Sequence, residues 1–147
     1  MKAPVAQLLS QKAASVVTVP VSASVAEAVQ AMNDHRIGSV IVMNGGRLAG
    51  IFTERDVLTR VVAEGRDPRR TPVQDVMTAD VLTITSDVSL EYVMETITTR
   101  RCRHLPVVDE GELVGLISIG DILRWLVEAH RAEAEHLRAY IAGDLAH

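Results

Sequence analysis

The sequence predicts an α/β fold made of two like units, each running strand, helix, strand, strand, helix, related by a pseudo-twofold axis. Three observations carry this reading. Slid by 65 positions, Thr18 falls on Thr83, Ser24 on Ser89, Gly50 on Gly115 and Asp56 on Asp121, with no gap between those points. Between the anchors the matches are in kind: Val19 with Ile84, Val25 with Leu90, Val29 with Met94, Met32 with Ile97, Leu48 with Leu113. Within each copy, β-branched apolar runs alternate with apolar residues at helical spacing. A period of this size marks one supersecondary unit used twice, each copy leaving an apolar face that the other can cover.

Taken in order, Val16–Val19 is a short β-branched run that Pro20 stops. Ser24-Val-Ala-Glu27 is a Ser-x-x-Glu helix start, followed by Val25, Ala28, Val29 and Met32 on one helical face. Ser39–Met43 reads as a strand buried on both sides, because it is apolar without alternation. Asn44-Gly45-Gly46 suits a tight hairpin turn, since these residues tolerate positive φ, and Leu48–Phe52 returns as the third strand. Thr53 opens a helix through Asp56, Val57, Leu58, Val61 and Val62, which Gly65 can end. The second copy repeats the order from Val81, with its helix start at Ser89, its apolar strand at Leu105–Val108, its turn at Asp109-Glu110-Gly111 and its last helix at Ser118.

The expected division is residues 1–65 for the first copy, 66–72 for an exposed link, 73–129 for the second copy, and 130–147 for a helical extension. The lead-in segments match at a different offset: Pro4-Val5 and Leu8-Leu9 correspond to Pro72-Val73 and Val76-Met77, 68 positions on. The first copy therefore carries three extra residues, Ser10-Gln-Lys12, before its first strand. Lys12 either adds a cation near the first cleft or is solvated. Nothing stops the last helix near His130, and a patchy apolar stripe through Ile122, Trp125, Leu126, Ala129, Leu137, Tyr140 and Ile141 carries it onward. This overhang is either a partner-contacting element or a solvated cap on its own core.

Composition narrows the function classes. A chain of 147 residues can bury roughly 70% of its unfolded surface in one compact domain. Phe52, Tyr92, Trp125 and Tyr140 are its only aromatic residues, so the core must be aliphatic and a base-stacking platform for single-stranded nucleic acid is not expected. A net charge of −4 also argues against phosphate-backbone binding. A single cysteine, Cys102, fits a reducing compartment. With no apolar run of membrane-spanning length and no signal-type N-terminus, the expectation is a cytoplasmic protein without a membrane contact. The histidines are scattered and no metal-ligand cluster is evident. No nucleophile has an evident base and orienter, so no catalysis is expected.

The positions able to carry chemistry are Gly50-Ile-Phe-Thr-Glu-Arg-Asp56 and Gly115-Leu-Ile-Ser-Ile-Gly-Asp121. Each is a strand running into a hydroxyl residue with a carboxylate three positions later. Thr53-x-x-Asp56 and Ser118-x-x-Asp121 are capping-box patterns that would serve any helix start. A helix N-terminus is also an anion site, and a hydroxyl with a carboxylate there suits a ribose phosphate.

With these residues in view, the chain resembles tandem cystathionine β-synthase (CBS) domains, the regulatory pair often called a Bateman module. The resemblance runs from about Val5 to Leu126. It rests on the duplicated β-α-β-β-α order, Leu105-Pro-Val-Val-Asp109, the repeated Gly-x-x-Thr/Ser-x-x-Asp pattern, and Val73-Gln-Asp-Val-Met-Thr78. It implies two clefts between the copies for AMP, ATP, NAD(H) or a similar adenosyl ligand, with no catalytic cofactor. Asp56 and Asp121 would hold ribose, Thr53 and Ser118 would lie near ribose or phosphate, and Thr18–Val19 and Thr83–Ile84 would bracket the base. Residues at the second strand of each copy, Ser39, Arg103, His104 and Pro106, complete the implied ligand set. The resemblance further implies a homodimer formed through helical faces.

The copies differ at charged positions. Arg55 precedes Asp56 where Gly120 precedes Asp121, and His104 stands where the first copy has Ser39. Arg100 and Arg101 suit a helix end. Arg55, Arg103 and His104 are expected to contact phosphate, and on this count the Asp56 cleft is expected to bind a phosphorylated adenosine more tightly than the Asp121 cleft. The functional expectation is a stand-alone ligand-sensing module that signals to an unidentified client protein. Two alternatives stay open: a ligand-free structural or dimerisation module, and a regulatory fragment of an enzyme or transporter system.

Overall fold

The computed structural model describes residues 2–12 and 16–145. Its elements are α1 (Val5–Gln11), β1 (Thr18–Pro20), α2 (Val25–His35), β2 (Ser39–Asn44), β3 (Arg47–Thr53), α3 (Glu54–Asp56, continuing as a π-helix over Val57–Val62), a 3₁₀ turn at Val73–Asp75, α4 (Leu90–Arg100), β4 (His104–Asp109), β5 (Glu112–Ser118) and α5 (Ile119–Leu145). Local chemistry accounts for the boundaries. Ser24 and Ser89 each accept the backbone N–H three residues on, at 3.1 Å, and so cap α2 and α4. Both helices end on a left-handed arginine, Arg36 and Arg101, 65 positions apart. Gly65 takes a φ of 64° just past α3, where the N–H of Arg66 closes on the carbonyl of Val61 at 2.9 Å.

In the first sheet β1 runs parallel to β2, and β2 pairs antiparallel with β3. The second sheet is the antiparallel pair β4–β5. The register slips at matching points, between Val42 and Met43 in one hairpin and between Val107 and Val108 in the other. The copies thus repeat even their bulges.

The strand expected from Val81 is reduced to one parallel bridge, Ile84 with Val107. Proline explains the difference. In the first copy the N–H of Ile41 bonds the carbonyl of Val17 at 3.1 Å. The residue at the place of Ile41 is Pro106, which has no N–H to offer Leu82. Only Ile84 stays tied, through Pro106 O and Val108 N.

Two aliphatic cores result. Val19, Val25, Ala28, Met32, Val40, Val42, Phe52 and Val61 form the first, and Ile84, Leu90, Val93, Ile97, Leu105, Val107, Ile117 and Ile122 the second. The lead-in segments are exchanged between them. Val5 and Leu8 of α1 are buried in the second core, whereas Val73 and Val76 are buried in the first. Each fully buried Val or Leu contributes about 1.5–3 kcal/mol, so the exchange binds the two copies together. The lead-ins also cover the third strands: Met77 lies against Gly50 and Leu9 against Gly115. The helical overhang continues to Leu145; Leu137, Tyr140 and Ile141 of the expected stripe, and His147, lie outside the described side chains.

Candidate functional site

Both hydroxyl–carboxylate pairs close as capping boxes. Thr53 Oγ1 accepts from the N–H of Asp56 at 3.3 Å, and Asp56 Oδ2 accepts from the N–H of Thr53 at 3.1 Å. The corresponding distances at Ser118 and Asp121 are 3.2 and 2.9 Å. Both carboxylates are buried at the start of a helix, where the dipole favours their charge. The capping reading and the anion-site reading therefore fall on the same atoms.

The surroundings of the two boxes differ. Asp56 Oδ1 faces Arg60 Nε at 3.6 Å, and Arg60 Nη1 donates to the carbonyl of Met77 at 2.7 Å. Beside it Ile51 and Thr78 pair as an antiparallel bridge, so main chain lies across this edge of β3. At Asp121, Oδ2 also accepts from Lys12 Nζ at 2.9 Å and Oδ1 accepts from Arg124 Nη2 at 2.6 Å. Lys12 Nζ donates a second bond, to the carbonyl of Leu116 at 2.8 Å. A cavity opens here, with a volume of about 1150 Å³. The first copy lines it with Val17, Thr18, Gly38 and Ser39; the second lines it with His104, Leu116, Ser118, Asp121 and Arg124.

Charge in this cavity is set by burial against donors. Burial pushes the Asp121 carboxyl up, but the Lys12 ammonium, the Ser118 N–H and Arg124 together hold it below the usual carboxylate range. Burial lowers His104; Asp121 and Glu54 oppose this, and Arg103 and Lys12 reinforce it. Two cations therefore surround one carboxylate, with a neutral imidazole in the same cavity near pH 7.

Of the residues singled out in the sequence, Thr18, Ser39, His104, Ser118 and Asp121 come together in this cavity. Thr53, Asp56 and the exposed Arg55 lie at the other box, outside it. Val19 and Ile84 are buried in the two cores, Thr83 and Arg103 are exposed, and Pro106 is buried in β4. Two expectations change. Lys12 belongs to the Asp121 cleft and not to the first, because α1 packs into the second core. His104 is paired in register with Ser118, so its imidazole adds to the Asp121 side. Arg124, which sequence reasoning passed over, stands one helical turn from Asp121, the i+3 spacing that could have revealed it.

Among the described residues no group of three or more His, Cys, Asp or Glu is placed to hold a metal ion, and no helix is long and apolar enough to cross a membrane. The CBS-domain family model matches residues 6–63 and again 73–128. A mitochondrial CBS-domain-containing protein of Arabidopsis thaliana is 38% identical over 125 residues, covering 82% of this chain but 61% of the plant protein, so this chain spans about three fifths of that relative. A CBS-domain protein structure from Burkholderia ambifaria MC40-6 is 38% identical, with a TM-score of 0.82 over 86% of this chain and 95% of that one. A CBS-domain protein from Pyrobaculum aerophilum, solved in complex with AMP, is 26% identical, with a TM-score of 0.73 over 86% of this chain and 99% of that one. With both halves matched by the family model, and with the duplicated fold in place, the chain belongs to the CBS-domain family as a tandem pair.

Proposed function

We propose that this chain is a non-catalytic regulatory module that binds an adenine nucleotide in the cavity at Asp121 and passes its occupancy to a client protein. The observation that carries this is the convergence of Thr18 and Ser39 from one copy with Ser118 and Asp121 from the other. An ionised buried carboxylate accepts from vicinal ribose hydroxyls, and the hydroxyl side chains serve ribose or phosphate. Lys12 and Arg124 supply positive charge for phosphate. Val16, Val17, Thr18, Ile37 and Gly38 line the same cavity and form a wall for a base. A cavity of about 1150 Å³ admits a nucleotide. The AMP complex of the Pyrobaculum aerophilum relative supports the ligand class.

A thermal-shift panel of AMP, ADP, ATP, NAD, NADH and S-adenosylmethionine tests the reading. A ligand at 100 times its Kd adds about 2.7 kcal/mol of stability. No shift with any of them, in protein first shown to be ligand-free, favours the ligand-free structural module. That second reading has its own support, since both boxes already cap their helices.

The same proposal includes a homodimer. Leu58 and Val62 on α3 are 64% and 65% exposed, and their counterparts Leu123 and Val127 on α5 are 54% and 55% exposed. Equivalent apolar pairs on both copies suit a twofold contact between helices. Occupancy shifts such an assembly only through differential affinity for two states. The lone cysteine supports a reducing compartment, and we place the module in the cytoplasm.

A further inference from the structure

We infer that Lys12 is a displaceable latch on the Asp121 cavity that sets its preference for phosphorylated over uncharged adenosine ligands. The inference rests on the nucleotide-binding reading and deepens it. Asp121 already accepts from three donors. Oδ2 takes both the Ser118 N–H and the Lys12 ammonium, each at 2.9 Å, and Oδ1 takes Arg124 at 2.6 Å. A carboxylate offers about four lone-pair sites, so about one is left, whereas a ribose diol brings two donors. One resident donor must leave. The Ser118 N–H belongs to the main chain at the start of α5, and losing it breaks the return half of the capping box. The donor that can vacate the same oxygen is Lys12.

The fold makes Lys12 removable. On the Asp56 side the carbonyl of Ile51 accepts from the backbone N–H of Thr78 at 2.9 Å. On the Asp121 side the matching carbonyl, Leu116, accepts from Lys12 Nζ at 2.8 Å. A flexible side chain stands where the other copy uses main chain. It comes from Ser10-Gln-Lys12, the three residues that the second lead-in lacks. The ammonium is half-buried and, once released from Asp121, loses its charged acceptor in a cavity that screens it poorly. A phosphate in the same cavity restores an anionic acceptor; an uncharged nucleoside does not. Lys12 thus penalises every ribose and repays only those that carry phosphate.

The test is isothermal titration of the full chain with AMP and with adenosine, for wild type, Lys12→Met and Lys12→Arg. The expected wild type prefers AMP. In Lys12→Met, adenosine binding strengthens, AMP binding weakens, and the ratio of the two affinities falls about tenfold or more. Lys12→Arg keeps the ratio within about threefold of wild type, since it keeps the charge. The ratio is measured within one protein, so partial misfolding scales both affinities alike. A Lys12→Met ratio equal to wild type overturns the latch and leaves the nucleotide site standing. Equal loss of the ratio in Lys12→Arg overturns the role of its charge. Wild type that binds neither ligand overturns the nucleotide reading itself, and the latch with it.

Discussion

Ile51 and Thr78 exchange both of their backbone hydrogen bonds, at 3.0 and 2.9 Å. Thr78, in the lead-in of the second copy, thus forms a single antiparallel bridge on the edge of β3, beside the helix that Thr53 caps. Among the described residues the counterpart edge on β5 pairs with no such main chain, and Lys12 reaches it with a side chain. Main chain thus walls off the edge beside Asp56, whereas a lysine side chain meets the matching carbonyl beside the cavity at Asp121.

Gly50 reports on that wall. A Cβ at Gly50 would lie 2.6 Å from the carbonyl oxygen of Thr78, which is backbone held by the bridge. At Gly115 the nearest atom would be Leu9 Cδ2 at 2.7 Å, the free end of a side chain that can rotate. Gly50→Ala should cost about 1–3 kcal/mol, as overpacking does, and Gly115→Ala clearly less. Urea unfolding of the two variants gives the comparison, and equal costs would contradict it.

The exchange of lead-ins predicts that an N-terminal residue behaves as core. Leu8 is buried among Leu90, Ile122 and their neighbours in the second core. Leu8→Ala should cost about 2–5 kcal/mol, whereas Gln7→Ala on the exposed face of α1 should stay within about 0.5 kcal/mol. A small effect at Leu8 would mean that α1 is not docked in solution.

Much of this architecture is legible in the residues, and the rest is not for identifiable reasons. The caps at Ser24, Ser89, Thr53 and Ser118 act within four residues, so local sequence determines them. Ser39–Val42 is buried, as the apolar run from Val40 indicates, and Met43 at its end is half-buried. The destination of a lead-in is a tertiary choice, however: Val5-x-x-Leu8 and Val73-x-x-Val76 are equally apolar, and nothing local says which core receives which. Lys12 followed its segment to the unexpected cleft for that reason. Pro106 is a different case. Its missing N–H was visible beside a strand that needed it, and the loss of pairing at Leu82 follows directly.

His104 gives the fold a pH dependence. Its folded pKa lies below the usual 6.5 because burial disfavours the cation. The unfolded chain then binds the proton first, so stability is complete above about 6.5 and declines as pH falls from there toward the folded value. Urea midpoints at about pH 7.5 and about pH 5.5 should differ more for wild type than for His104→Gln. Identical differences would place the titrating group elsewhere.

The exposed row on α3 and α5 predicts the oligomeric state. Wild type should elute with light-scattering mass near twice 16.0 kDa, and the double variant Leu58→Glu, Leu123→Glu should fall to 16.0 kDa with an unchanged circular dichroism spectrum. A monomeric wild type would leave the equivalence of the two exposed pairs without a purpose.

The central claim is that nucleotide binds at Asp121, where both copies line one cavity, and so reverses the expected ranking, in which uneven charge favoured the Asp56 cleft. Titration of AMP into Asp121→Ala and Asp56→Ala tests it most directly. The account predicts that Asp121→Ala weakens binding about tenfold or more, through the lost ribose acceptor, and that Asp56→Ala stays within about threefold of wild type. Loss of binding in Asp56→Ala with Asp121→Ala intact would contradict it.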